Sequence, residues 1–319
     1  MNTTVLIVSL LAGFGSTLVL AFKIQEKLLE IKSAGVYSWG MIFSYSLVTA
    51  GALYASWFGV MEGYSLVAFF VGWFGALYTG LGTSLGLHRH DTHGGFKAHA
   101  AVLFLLSMGA WMGGMKKWTW VPDHKLHHAK EDTILDPHSP YLFNKNGDGW
   151  GLLWSHIGWM LVDRPQLEKL KKTDTSKVPF IKTEQYLFVP CLLLGFLVPF
   201  AFLGQEGLWI SFLRMFYMIH VTFNINSSGH RFGRIVYEKS KSRNGTWFGA
   251  FLTMVGERYH ANHHADQQSA FLGWRWHDID TGKWLLMVLE WFGLAWDVKR
   301  PRYSNKLPPP TPSDVPLAA

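Results

Sequence analysis

The chain is poor in cysteine and in charge. Cys191 is its single cysteine, and only 16% of its 319 residues are Asp, Glu, Lys or Arg. One cysteine excludes an intramolecular disulfide framework, leaves an oxidising compartment unimplied and makes thiolate metal ligands scarce. So little charge beside 49% hydrophobic and 16% aromatic content points away from an ordinary soluble domain and toward a membrane protein. The formal charge of +7 comes from scattered residues rather than a basic, aromatic-interleaved stripe. Nucleic acid is therefore not expected as a partner, and an anionic membrane surface explains the charge more simply.

Long apolar runs are what the chain has in quantity. Residues 5 to 22 carry no charge and reach the length that crosses a hydrocarbon core of about 30 Å. No basic residue precedes them and Lys23 follows, the wrong polarity for a cleaved signal, so residues 1–35 are expected to be a retained anchor and linker. Lys23, Glu26, Lys27, Glu30 and Lys32 predict a short exposed helix over 22 to 33. Val36 to Val60 and Tyr64 to Leu87 predict a tight hairpin about Met61-Glu62-Gly63, and Tyr186 to Leu203 with Leu208 to Ile225 predict a second. The expected fold class is an all-α integral membrane protein with four core spans, an extra N-terminal span and a cytosolic helical cap. The apolar residues 98 to 115 are read as a half-buried or interfacial helix, because His93 and His124 must stay on one side to share a cluster. Residues 116 to 185 hold eleven Lys or Arg and the two hairpin turns none, which places the cap in the cytosol. Trp284 to Trp296 is expected to lie along the interface. The proline-rich residues 306–319 are expected to be a disordered tail, leaving 36–305 as the functional unit.

The chain is organised around Asp123-His124-Lys125-Leu126-His127-His128. At about 100° per residue, positions i, i+3 and i+4 share a helix face, so His124, His127 and His128 project toward one point, as metal ligands do. His260, His263 and His264 repeat the spacing. With His88, His93 and His230 there are nine candidates, more than one zinc needs, and two metals fit better. His99, His156, His220 and His277 read as solitary core or surface histidines. His88 and His93 are about 140° apart on an α-helix, so both reach one cluster only if the helix ends or unwinds between them, which Gly94-Gly95 permits. His90 points away from His88. Asn226 and His230 lie i and i+4 at the end of the last span, where polar side chains are costly unless used. Gly72, Ala76, Gly80 and Ser84 make one small face, fitted either to close helix packing or to a groove for an extended apolar ligand.

These motifs resemble the membrane-bound fatty acyl desaturases of the stearoyl-CoA desaturase and bacterial delta-9 type, over roughly residues 36 to 305. The family's three histidine boxes appear as His88-Arg89-His90-Asp91-Thr92-His93, His124-Lys125-Leu126-His127-His128 and His260-Ala261-Asn262-His263-His264. Asp136-Pro137-His138, Ser155-His156-Ile157-Gly158-Trp159 and Asn226-Ser227-Ser228-Gly229-His230 follow the family's order. The resemblance implies two iron ions held by His88, His93, His124, His127, His128, His230, His260, His263 and His264, with Asn226 reaching a metal through water. It implies an O2-dependent dehydrogenation of a saturated acyl chain on coenzyme A, carrier protein or lipid. Electrons would come from a donor such as ferredoxin or cytochrome b5 with its reductase. Candidate substrate contacts are Gly72, Ala76, Trp118, His156, Trp159, Arg164, Thr222 and Phe223. Where animal members have a basic pair thought to meet coenzyme A phosphates, this chain has Asp163-Arg164. It also has Gly256-Glu257-Arg258, Thr222-Phe223 and Gly94-Gly95 where the family commonly has Gly-Glu-Gly, Thr-Trp and Arg-Ser. A bacterial inner membrane is the expected location rather than the endoplasmic reticulum. A related hydroxylase or acetylenase is the alternative activity, and a non-enzymatic membrane metal or haem binder the alternative class.

Overall fold

A computed structural model of the protein describes residues 2–237, 242–245 and 255–302. The expected tail, 306–319, lies outside the described residues.

Among the described residues, five helices are long and apolar enough to cross a membrane. They are α1 (Thr3–Glu30), α2 (Trp39–Met61), α3 (Leu66–Leu81) with its continuation to Thr92, and, after the cap, α8 (Ile181–Leu203) and α9 (Gln205–Arg231). The fold is that of a multi-pass, all-α membrane protein. Both hairpins form where they were expected. Gly63 at φ +81° turns the first, and Gly204 at φ +56° alone separates α8 from α9; a side chain bearing Cβ resists this left-handed backbone. The two turns are tied together, because Glu206 Oε2 accepts from the Ser65 N–H and hydroxyl at 3.1 and 2.6 Å.

The N-terminal segment differs from expectation. Residues 23–30 are not a separate exposed helix but the last turns of α1. Nothing between Phe22 and Glu30 breaks a helix, and Lys23–Glu26 and Lys27–Glu30 pair at i, i+3 on its outer face. The inner face is a stripe of Ser9, Gly13, Thr17, Ala21, Ile24 and Leu28. Small residues there let the backbones approach, since a Cβ on Gly13 would stand 2.8 Å from the Ala50 nitrogen of α2. Ile24 and Leu28 join Trp154 and Leu161 of the cap in one core.

Helix α4 (Ala100–Met112) follows a sharp return at His93 to Gly95. Its 13 residues rise only about 20 Å, too short to span. It packs on the continuation of α3, where Gly86 leaves room for Leu106. The cap consists of α5 (Lys117–Lys130), a short helical passage (α6, Trp150–Leu153; a π turn, Trp154–Gly158; α7, Trp159–Leu161) and, beyond α9, α10 (His260–Ala265) and α11 (Thr281–Trp291). Two-residue strand pairs, Val36–Tyr37 with Val162–Asp163 and Lys97–Ala98 with Ala295–Trp296, pin the cap to the helix ends. Trp284, Trp291 and Phe292 of the α11 segment are exposed.

Candidate metal centre

Nine histidines from four elements converge where the spans meet the cap. His88, His93, His124, His128 and His263 form one group and His127, His230, His260 and His264 another, with the candidate ligand atoms of each group within 4.8 Å of one another. The α5 and α10 triplets converge as their i, i+3, i+4 spacing requires, and each triplet divides between the groups. His88 and His93 share a group by the helix end expected between them and by a widening that the sequence did not reveal. From Gly82 to Thr92 the helix is a π-helix, whose hydrogen bonds run i to i+5, so residues five apart stand nearly one above the other. The helix widens and then ends between them, as expected: its last residue is Thr92, His93 is the cap, and Gly94 and Gly95 turn the chain. The two rings lie 5.2 Å apart.

Carboxylates brace the rings from behind. Glu257 faces His88 Nδ1 at 3.0 Å, Asp136 faces His127 Nδ1 at 2.9 Å, Asp132 faces His230 Nδ1 at 3.3 Å and Glu131 faces His264 Nδ1 at 3.1 Å. A carboxylate accepts, so each Nδ1 carries its ring's proton and each Nε2 presents a lone pair. The lone pairs point inward. His127 Nε2 and His264 Nε2 stand 3.3 Å apart, both acceptors in these tautomers, an arrangement that a cation between them resolves and a hydrogen bond does not. Buried His93 Nε2 has no hydrogen-bond partner. Burial, reinforced by neighbouring imidazoles, holds His93, His124, His127, His128, His260, His263 and His264 well below the usual histidine pKa. These are neutral imidazoles, the form that binds metal. The residues therefore fit a metal site, with nitrogen donors suited to iron, zinc, copper or nickel.

A cavity of about 260 Å³ runs from this centre between α3 and α9. His88, His124, His260 and Asn226 lie at its inner end, and Gly72, Ala76, Gly80 and Ser84 line its length, so the small face opens onto a cavity. Gly72 also serves packing, because a Cβ there would come 2.5 Å from Ile210 of α9. Thr222 lines the cavity too. The other expected substrate contacts do not. Trp118 is 58% exposed, and Phe223 is buried against Trp159, which packs on His138. Arg164 donates to Ser33 Oγ, Ile134 O and Asp136 O, so its guanidinium is committed to holding the cap. His156 and His220 are not solitary. The π turn at Trp154–Gly158 brings His156 Nε2 to 2.9 Å from His220 Nδ1, in a chain that runs from Tyr45 to Ser227.

Sequence reading missed Glu131, Asp132 and Glu257 as braces, because each sits far along the chain from the histidine it meets. Asp136 and His138 stood in a quoted motif but without a role. His138 is buried beside His127, their rings 4.4 Å apart, and burial pushes its pKa down to about 3.

The model of the family described as "Fatty acid desaturase" matches residues 65–289. The chain belongs to that family. It is similar to an sn-1 stearoyl-lipid 9-desaturase of Synechocystis sp., 32% identical over 278 residues that cover 83% of this chain and 81% of the relative. A hex-5-enoyl-[acyl-carrier protein] acetylenase of Moorena producens is 34% identical over 240 residues, covering 69% of this chain and 73% of its own. An acyl-CoA C20 Delta5-desaturase of Anemone leveillei is 32% identical over 235 residues, covering 70% and 71%. This family member is thus an enzyme, an oxidoreductase acting on fatty acyl chains, and the reading as a non-enzymatic metal or haem binder is set aside.

Proposed function

We propose that the enzyme removes two hydrogens from adjacent carbons of a saturated acyl chain at an iron pair held by His88, His93, His124, His127, His128, His230, His260, His263 and His264, with Asn226 bound through water. What carries the reading is that both histidine groups reach one end of an apolar cavity. Two irons bound there would supply the O2-dependent oxidation that no side-chain acid or base can perform on an unactivated C–H bond.

The chain's own residues do the rest. Glu257, Asp136, Asp132 and Glu131 keep the Nδ1 protons in place and so aim the Nε2 lone pairs. Gly72, Ala76 and Gly80 leave room for an extended alkyl chain beside α9, and Trp73, Leu77, Ile210 and Met218 exclude water from it. The carrier is coenzyme A, carrier protein or lipid, and the reductant a donor such as ferredoxin or cytochrome b5 with its reductase. Arg164, turned inward, is left out of head-group binding. Residues 1–35 act as anchor and linker, and 36–305 as the catalytic unit.

We place the centre on the cytosolic side of a bacterial inner membrane, from the eleven basic residues of 116 to 185 against none in the two turns. A tag at Gly63 or Gln205 should react from outside and one at Asn146 should not; the reverse labelling overturns the sidedness. For the activity, the full chain is expressed in a host with its own saturated lipids and the new products are analysed by mass spectrometry. An alkene is expected. The acetylenase among the relatives makes an alkyne the second reading, and an alcohol as main product would replace dehydrogenation with hydroxylation.

A further inference from the structure

Arg214 of α9 is 6% exposed at membrane depth and lines the cavity. A cation there is costly unless something answers it. Its guanidinium donates to two backbone carbonyls on two other helices, Nη1 to Met112 O at 3.3 Å and Nη2 to Gly195 O at 3.2 Å.

Both carbonyls are ones that helix geometry leaves over. In α8 the carbonyl of Gly195 would accept from the N–H of residue 199, and residue 199 is proline. In α4 the last four carbonyls have no intrahelical donor. Gly109 and Ala110 accept from Gly113, Ala110 also from Met115, and Trp111 from Gly114. Met112 remains, and Arg214 takes it. Gly75 and Gly195 clear the path, since a Cβ on either would come 2.8 Å from the arginine side chain. A planar fork that reaches two acceptors on separate helices is something arginine has and lysine lacks.

We propose that Arg214 is a positioning residue that sets chain-length selectivity. By joining the carbonyl orphaned by Pro199 to the C-terminal end of α4, it anchors its own side chain, which lines the cavity, to the two helices packed behind α9 and α3. It does so twelve residues from Asn226, about 18 Å along α9, where the far part of an acyl chain would lie. The proposal rests on the reading that this cavity takes the acyl chain.

The test compares wild type, Arg214→Met, Pro199→Ala and the double variant, each as the full chain in membranes supplied with saturated chains of mixed length. Product ratios are read by mass spectrometry, and unfolding midpoints are measured on the purified proteins. Pro199→Ala returns an N–H to Gly195 O and should leave the ratio near wild type. Arg214→Met should shift the ratio toward longer chains by about tenfold, the discrimination one methylene commands in an apolar pocket. In the Pro199→Ala background its effect on both ratio and midpoint should shrink. Equal loss at every length, or strictly additive effects, overturns the proposal. If Arg214→Met does not fold, Arg214→Lys, which keeps stem and charge without the fork, carries the same readouts. A wild type that makes no alkene sinks the acyl reading separately, and the coupling in midpoints still decides whether the clamp exists.

Discussion

The two ends of the cavity are built on opposite principles. At the inner end the wall is set by imidazoles and Asn226, and four imidazoles of the centre are fixed from behind by a carboxylate, so an error of one proton or one atom is felt. Along α3 the wall between Phe69 and Gly80 is glycine and alanine with Phe69, Trp73 and Leu77, side chains that have no titrating proton and matter by size and shape. On the proposed function, the floor determines what chemistry is done, and the wall which chain it is done to. Substitutions at the floor should therefore cost activity on every substrate, whereas substitutions in the wall should redistribute it.

The largest effect is expected at the floor itself. His127→Ala or His263→Ala should abolish turnover and lower metal content, whereas His99→Ala, at an exposed position at the start of α4, should be tolerated. Full activity in His127→Ala would break the comparison at once. Next comes Asp136→Asn, which keeps the shape but removes the negative charge and one of the two oxygens that accept from His127 Nδ1 and the Asp132 and His138 N–H groups. Metal affinity or activity should fall about 10- to 100-fold, as for other groups that orient a metal-bound histidine. No change would mean that the ring is held by packing alone.

Acidity should act on the floor before it acts on the wall. Burial depresses the pKa of seven imidazoles off the spans, His93, His124, His127, His128, His260, His263 and His264. The unfolded chain takes up protons near pH 6.5 that the folded chain refuses, so it binds more protons below that pH and stability falls as pH falls. The loss is up to about 1.4 kcal/mol per pH unit for each such group, until its depressed folded value is reached. Protons also compete with metal for the same nitrogens. The unfolding midpoint and the metal content should both drop between pH 7.5 and 5.5, and a flat profile would contradict the neutral floor.

The smallest effect belongs to the wall. Ala76→Phe should cut long-chain products relative to short ones by about tenfold while metal content stays at the wild-type level. Loss of all lengths alike would show that overpacking, rather than a shorter cavity, had decided the outcome.

Much of this division could be read from the sequence. The i, i+3, i+4 triplets at His124 and His260 and the fourfold repeat of small residues from Gly72 are periodic, and helical periodicity survives folding. Both hairpins announced themselves through polar, glycine-bearing breaks in apolar runs. What the sequence hid is aperiodic or inserted. A π-helix cannot be told from an α-helix by composition, so of what brings His88 and His93 into one group only the helix end could be read and the widening before it could not. Glu257 and Asp132 brace rings 169 and 98 positions away, contacts that only the fold creates. Ile24 and Leu28 were overlooked because the charges around them suggested a solvated helix, although those charges occupy one face and leave the other for the core.

If the floor holds a pair of irons, the purified enzyme should carry them, and its metal content can be measured. Elemental analysis of wild type should find two irons per chain, and the same analysis of His263→Ala should find fewer. One tightly held zinc per chain with no iron would contradict the account and indicate a structural or hydrolytic site in its place.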